Sequence, residues 1–147
     1  MKNYDAVVIG FGKGGKTLAG EMADKGWKVA VIEKSDKMYG GTCINVGCIP
    51  TKYLINEAAK NKFRKLNSFE EYAEEYKNII ENKGELISLF RKKNFDSLDV
   101  KENIDIYTGE GSFVDAKTIE IKSKEETIQI KGDRIFINTG AESIIPP

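Results

Sequence analysis

Cys43 and Cys48 are the only cysteines in the 147-residue chain, and four residues separate them in the stretch Gly40-Gly41-Thr42-Cys43-Ile44-Asn45-Val46-Gly47-Cys48-Ile49-Pro50-Thr51-Lys52. Thiols at this spacing can close a small ring. By loop-closure entropy such a ring restrains the unfolded chain by only about 2 kcal/mol, less than a longer loop gives. That is a weak staple. With no secretory signal expected, the usual role for such a pair is redox-active and not structural. Zinc needs four ligands, commonly cysteine or histidine. The chain has no histidine, which argues against an intramolecular zinc site. On spacing alone, a redox pair and two inert thiols stand level.

The elements around the pair must hold it. Pro50 suits a first helical turn, and Lys52 to Lys65 is rich in helix formers, so a helix is predicted to start between Gly47 and Pro50. Cys48 then stands at a helix N-terminus, where unpaired amides and the dipole favour a thiolate by roughly 0.3–1 kcal/mol. Upstream, Tyr4 to Ile9 is a short apolar run that reads as a buried parallel strand. Gly10, Gly12 and Gly15 follow it in the pattern G-x-G-x-x-G. Gly10 permits a tight turn, Gly12 lets a pyrophosphate reach the backbone, and Gly15 lets the next helix pack close. That helix is expected from Gly14 to Lys25, stopping at Gly26, with its first amides free to hold phosphate. A second strand, Lys28 to Ile32, ends in Glu33, which can accept from ribose hydroxyls. A glycine pattern alone is an ordinary turn. Strand, glycines, helix, strand and acidic residue in this order predict dinucleotide binding, with NAD or FAD suiting Glu33 better than NADP.

Length fits one domain, and 40% hydrophobic residues suffice for a core. The 23 basic and 23 acidic residues balance, which argues against nucleic acid or an anionic membrane as the main partner. No apolar run approaches the roughly 18 residues of a membrane span. The N-terminus enters a strand at once, so the reading expects no signal peptide and a cytoplasmic location.

The two motifs together resemble the class I pyridine nucleotide-disulfide oxidoreductases, which include dihydrolipoamide dehydrogenase, glutathione reductase and mercuric reductase. The Gly-Gly-Thr-Cys-x-Asn-x-Gly-Cys-x-Pro-x-Lys element from Gly40 to Lys52 is the specific part. The resemblance implies an α/β, Rossmann-like FAD-binding domain: a parallel sheet with helices plus an antiparallel β-meander. It puts Gly10, Gly12, Gly14 and Gly15 around the FAD pyrophosphate and Glu33 at the adenosine ribose, with Lys34 also in the cofactor set. Gly41 and Thr42 also face the cofactor. It makes Cys48 the thiol beside the flavin, Cys43 the thiol that meets substrate, and Lys52 the cation near the flavin. Without the motif Lys52 would read as a solvated helix lysine. The wording Gly10-Phe11-Gly12-Lys13-Gly14-Gly15-Lys16-Thr17 and Cys48-Ile49-Pro50-Thr51-Lys52 looks like the bacterial branch that reduces reactive chlorine species and hypothiocyanous acid. Lipoamide-like and mercuric-like enzymes are the alternative branches. A non-catalytic, redox-sensing nucleotide module and a plain NAD-binding domain are alternatives from other classes.

For a full-length enzyme the resemblance implies electrons passing from NAD(P)H through FAD to a Cys43–Cys48 disulfide, then to a small oxidised substrate. It also implies a homodimer serving cell redox homeostasis. Family enzymes are roughly three times longer, so residues 1–147 are expected to be the N-terminal part of the FAD-binding domain, without the NAD(P)H-binding and interface domains. Alone, that segment is expected not to turn over NAD(P)H.

The remainder is read more coarsely. Ser68 and Glu71 form a capping-box candidate. Phe69, Tyr72, Tyr76, Ile79 or Ile80, Leu86 or Ile87, and Phe90 make one apolar face, predicted as core packing on a helix ending near Lys93, with Gly84 as a kink or an interruption. Asn94 to Glu102 is predicted as a polar connection and Ile104 to Thr108 as a parallel strand. Gly109 to Phe113 is predicted as a glycine turn, where the resemblance puts Gly111 at the adenine end of FAD. Ser112–Val114, Thr118–Ile121 and Thr127–Ile130 are predicted as a meander. Asp133 to Ile137 is a separate buried strand in this reading. It ends at Asn138-Thr139-Gly140, where the resemblance implies that Thr139 and Gly140 touch FAD. Pro146-Pro147 reads as a linker.

Overall fold

A computed structural model of the chain describes residues 1–64, 66–141 and 144–146. Lys65, which closes the helix-rich stretch noted above, and Pro147, half of the proposed linker, lie outside the described residues.

The chain runs β1 (Lys2–Ile9), α1 (Lys13–Asp24), β2 (Val29–Glu33), a short 3-10 turn (Asp36–Met38), α2 (Gly41–Asn45), α3 (Cys48–Asn61), α4 (Phe69–Asp99), β3 (Ile104–Thr108), β4 (Glu110–Phe113), β5 (Thr118–Lys122) and β6 (Thr127–Ile137). The strands form one six-stranded sheet in the order β3-β2-β1-β6-β5-β4. The first four in that order are parallel, and β6, β5 and β4 form an antiparallel meander.

The apolar runs explain why β1 and β2 are central. Ala6, Val8, Val29 and Val31 face a core built with Ala19, Met22 and Ala23 of α1 and Leu98 of α4. Val7, Ile9, Ala30 and Ile32 face a second core with Ile119, Ile121 and Ile130 of the meander. Strands covered on both faces need apolar residues throughout, hence the unbroken runs. Asp5 and Ala6 both donate to the Lys28 carbonyl, at 2.9 and 3.3 Å. The two-residue alternation breaks here although the register with β6 is unbroken, and Tyr4 lies in the same core as Val7. There Tyr4 donates to Asp105 Oδ2 at 2.5 Å and lies 2.5 Å from the Tyr107 hydroxyl, tying β1 to β3 across β2.

Four expectations are corrected. First, the two predicted strands Thr127–Ile130 and Asp133–Ile137 are one continuous strand, β6. Its residues 127–131 pair with β5 and 130–137 with β1, so Gly132 is paired within the strand and is not a break. Second, Gly109 to Phe113 is not all turn. Gly109 alone separates β3 from β4, and Gly111 is a strand residue. Third, α4 runs on to Asp99 through the predicted connection, and Gly84 does not interrupt it. Fourth, its stripe is core only toward the C-terminal end. Ile79 and Ile87 are buried, while Phe69, Tyr72 and Tyr76 are 81%, 51% and 64% exposed. The reason is length. At 31 residues, α4 is about 46 Å long, well beyond the roughly 27 Å of eight-residue β1. Its start is as expected: the Ser68 hydroxyl accepts from Glu71 N–H at 3.2 Å, although the Glu71 carboxylate reaches back to Asn67 N–H and not to Ser68.

Candidate functional site

The glycine turn lies where the sheet's connections diverge. From β1 the chain passes to β2 on one side, while β6 returns on the other. A crevice at the carboxyl ends of the strands is expected at such a point, and this is where ligands of open α/β sheets bind. A cleft of about 350 Å³ lies there, lined by Gly10, Gly12, Glu33, Lys34, Gly41, Thr42, Gly111, Thr139 and Gly140, among others. Those nine were singled out from sequence. Gly14 and Gly15 are not on its wall. Gly14 lies in the first turn of α1, and Gly15 is buried beneath the turn, where an added Cβ would come within 2.6 Å of the Gly10 carbonyl.

Two glycines are required by backbone conformation. Gly10 has φ +105°, and an added Cβ would lie 2.2 Å from the Asn138 carbonyl oxygen. Gly41 has φ +72°, and its added Cβ would lie 2.6 Å from the Gly12 Cα. The second contact is the junction of the two motifs. Gly12 and Gly40 pair as a parallel bridge, and Gly40 N–H donates to the Phe11 carbonyl at 3.1 Å. The cysteine segment is thus laid against the glycine turn.

Local structure around the cysteines departs from expectation in one respect. A separate five-residue helix, α2, precedes α3 and carries Cys43. The Thr42 carbonyl accepts from Val46 and Gly47 N–H, at 2.9 and 2.7 Å, and closes α2. Cys48 is the first residue of α3, as the proline position predicted. Both cysteines are free thiols, Cys43 half-buried and Cys48 exposed. The Cys43 thiol is held above its ordinary value, first by its hydrogen bond with the Cys48 thiol, then by burial and by charge on Cys48. Lys13 and Lys52 act on it in the opposite sense. The Cys48 sulfur is therefore within hydrogen-bonding reach of the Cys43 thiol, and Lys52 lies close enough to act on it. The influence of Lys13, from the glycine turn itself, was not anticipated. Only the contact of Gly12 with Gly41 reveals it.

Glu33 does more than face the cleft. One carboxylate oxygen accepts from Phe11 N–H at 2.9 Å and the other from Ser35 N–H at 3.2 Å. A carboxylate offers about four lone-pair sites, so two remain for ribose hydroxyls. Lys34, at the rim, pairs with Glu110 at 3.4 Å. Asn138 was missed from sequence. Its side-chain amide donates to the Gly10 carbonyl at 3.2 Å, and Asn138 N–H donates to the Ile9 carbonyl at 2.8 Å. Nothing local marks it, because its partners lie 128 residues away.

The open backbone at Gly12 and the spare acceptors of Glu33 suit an adenine dinucleotide with a pyrophosphate. Among the described residues, no group of three or more His, Cys, Asp or Glu could hold a metal ion, and no helix is long and apolar enough to cross a membrane. A second hollow of about 360 Å³ opens at the other ends of the strands. It mixes Lys28, Lys117 and Lys131 with Asp5, Asp115 and Asp133, so no single charge converges there.

Comparison with known proteins agrees with this arrangement. Residues 4–147 match the family model described as pyridine nucleotide-disulphide oxidoreductase. The chain is 43% identical over 147 residues to the probable pyridine nucleotide-disulfide oxidoreductase RclA of Escherichia coli, covering 100% of this chain and 31% of that protein. It is 33% identical over 149 residues to a mercuric reductase of Lysinibacillus sphaericus, covering 98% of this chain and 26% of that one. The solved structure of the Cu(II) complex of the HOCl-induced flavoprotein disulfide reductase RclA from Escherichia coli superposes with a TM-score of 0.88 at 44% identity, covering 100% of this chain and 31% of the other. The chain thus spans less than a third of the length of these relatives.

Proposed function

Since the chain belongs to the pyridine nucleotide-disulphide oxidoreductase family, we propose that it forms the N-terminal part of the FAD-binding domain of an NAD(P)H-dependent disulfide reductase. Residues 1–147 supply the adenine-dinucleotide cleft and the thiol pair. The NAD(P)H-binding and interface domains lie elsewhere in the full-length protein. The observation that carries this reading is the junction of the two motifs: Gly41 touches Gly12, and Cys43 stands two residues beyond Gly41.

In this reading Gly10, Gly12, Gly14 and Gly15 shape the pyrophosphate turn. Glu33 accepts from the ribose with Lys34 at the rim, Gly111 flanks the adenine end, and Gly41, Thr42, Thr139 and Gly140 complete the wall. FAD, when bound, supplies the two-electron exchange with NAD(P)H. The chain's own residues do the rest. Taking up two electrons and two protons opens the Cys43–Cys48 disulfide to two thiols. Returning both to an oxidised small molecule re-forms the S–S bond. Cys43 is the thiol that meets that molecule, Cys48 the thiol beside the flavin, and Lys52 a cation that favours thiolate over thiol. The resemblance to RclA in sequence and structure favours that branch over the lipoamide-like and mercuric-like ones. The same kinship supports a cytoplasmic, homodimeric enzyme of cell redox homeostasis, and the exposed Phe69, Tyr72 and Tyr76 offer apolar surface for a second subunit.

The test is an absorbance spectrum of the purified full-length protein in the flavin bands, with thiol counting before and after NADH or NADPH. Two new thiols per subunit, absent in Cys43→Ser and Cys48→Ser, are the expected result. No flavin, or undiminished disulfide-dependent turnover in either variant, refutes the proposal.

A further inference from the structure

Helix α2 has five residues, too few to be stable alone. Neither end has a side-chain cap. It nevertheless carries Cys43, so other contacts must hold its pose. Asn45, its last residue, makes three of them. Its side-chain NH2 donates to the Gly41 carbonyl at 2.9 Å and to the Tyr39 carbonyl at 3.1 Å. Its Oδ1 accepts from Arg91 Nε on α4 at 2.9 Å. Both N–H donors and the oxygen are therefore used. The partners also force the orientation of the amide, since two carbonyls can face only NH2 and a guanidinium only oxygen.

Each tie leads to something rigid. Tyr39 is buried, with its ring 5.1 Å from Phe11 and 4.8 Å from Phe95 of α4. Gly41 abuts Gly12. Arg91 is half-buried and takes part in no ion pair among the described residues. Its Nε is spent on a neutral amide, a charge-assisted bond stronger than a neutral one. A half-buried guanidinium that has no carboxylate partner among the described residues, and is aimed at a polar side chain that anchors α2, is not ordinary surface charge.

We infer that Arg91 is a positioning residue for the thiol pair: by locking the Asn45 amide it sets the pose of α2, and hence how readily the Cys43 sulfur meets the Cys48 sulfur. The inference rests on the redox reading of the pair but not on flavin binding. Closing the ring depends on the effective concentration of one thiol at the other, which falls when α2 loosens.

The test uses the full-length protein and the dithiothreitol couple. Protein disulfide plus reduced dithiothreitol exchanges with protein dithiol plus oxidised dithiothreitol, and thiol counting gives the equilibrium constant. Arg91→Ala is expected to weaken the protein disulfide by about tenfold, and Asn45→Ala, which also frees the Tyr39 and Gly41 carbonyls, by at least as much. Adding Arg91→Ala to Asn45→Ala should weaken it no further, because the tie that Arg91 makes runs through Asn45. Arg91→Gln, which keeps an N–H donor and drops the charge, should restore most of the loss. Flavin absorbance, read in parallel, should stay with Arg91→Ala. An unchanged equilibrium in a folded Arg91→Ala protein overturns the inference. So do additive losses in the double variant, or a Gln variant as weak as Ala. Absence of flavin from every variant and from the parent would instead count against the proposed function and leave the thiol equilibrium readable.

Discussion

Gly12→Ala separates what the fold needs from what a ligand needs. Gly12 has φ −67° and ψ 167°, extended backbone that alanine adopts freely. An added Cβ would meet Asn138 Nδ2 at 3.0 Å and nothing else closer than 3.9 Å. The end of a side chain can retreat by a few tenths of an ångström. The retreat loosens its 3.2 Å hydrogen bond to Gly10, costing up to about 0.5–1.5 kcal/mol. Replacing glycine stiffens the unfolded chain and returns about 0.4–1 kcal/mol. The net change in stability is therefore about 1 kcal/mol or less, or about 2–4 °C in Tm for a domain of 150–250 residues. A pyrophosphate approaching the same backbone has no such latitude. Losing one charge-assisted hydrogen bond, worth about 1.5–3 kcal/mol, weakens FAD by about 10- to 100-fold. The control is Gly10→Ala, with φ +105° and a Cβ 2.2 Å from a backbone oxygen. There left-handed backbone alone costs about 1–2 kcal/mol before the clash is counted. Thermal unfolding and flavin titration of both full-length variants give the answer. The reasoning fails if Gly12→Ala binds FAD like the parent, or if it is as unstable as Gly10→Ala.

Three further expectations follow from the titrating groups and the sheet. With its pKa raised, the Cys43 thiol keeps its proton to higher pH in the folded dithiol than in the unfolded chain, so its contribution to stability is lost as pH rises above about 9. Its alkylation rate should accordingly still be climbing above pH 9, and Cys48→Ala, which removes the first-named cause, should move the midpoint down. An unmoved midpoint by mass-spectrometric labelling would show that Cys48 is not the cause. At Asp105 burial pushes the carboxyl up, but hydrogen bonds from Tyr4 and Lys2 and the charges of Lys2 and Lys28 outweigh it, leaving it lowered. That stability is present above the unfolded value of about 3.9 and lost as pH falls through the folded one. Asp105→Asn should therefore flatten the acid limb of stability against pH, and an acid limb as steep as the parent's rules this out. Tyr4→Phe removes the proton donated to Asp105 and should destabilise by about 1–3 kcal/mol in urea unfolding. A loss below about 0.5 kcal/mol would mean the tie between β1 and β3 contributes little.

What could be read from sequence was whatever depends on neighbours along the chain. The turn at Gly10, the start of α3 at Cys48, the cap at Ser68 and the strand Ile104–Thr108 all follow from local residue types. The missed features depend on distant partners. β6 pairs with β5 over residues 127–131 and with β1 over 130–137, so the segment around Gly132 looked like a break although the strand runs through it. A Cβ there would lie 2.6 Å from Val7 Cγ2, a close approach that no sequence window contains. Helix α2 is too short for any periodicity to reveal. The buried half of α4 was legible as a stripe, but where the burial stops is set by the reach of the sheet below it. At the site, the glycines and cysteines announced themselves by type and spacing. Asn138, Arg91 and Lys13 did not, because each acts on a partner that only folding brings near.

The same contacts that close the fold also build the cleft. Asn138 directly follows β6 and takes up the Gly10 carbonyl, so the last parallel strand braces the first turn. Phe11 N–H and Ser35 N–H share the Glu33 carboxylate, so the end of β2 braces the same turn from the other side. The Gly12–Gly40 bridge then fixes where the cysteine segment begins. Each brace comes from a different strand or its connection, and each satisfies a backbone group that would otherwise be left unpaired. A ligand entering here meets donors and acceptors already held in place and pays little ordering entropy. It follows that damage at the cleft should spread. Asn138→Ala frees the Gly10 carbonyl and unpins β6 from the turn, so it should lower both stability and flavin affinity. Gly12→Ala, by contrast, should lower affinity with little change in stability. Two variants acting on one turn, one coupled and one not, are the behaviour expected of a site built from the sheet's own seams.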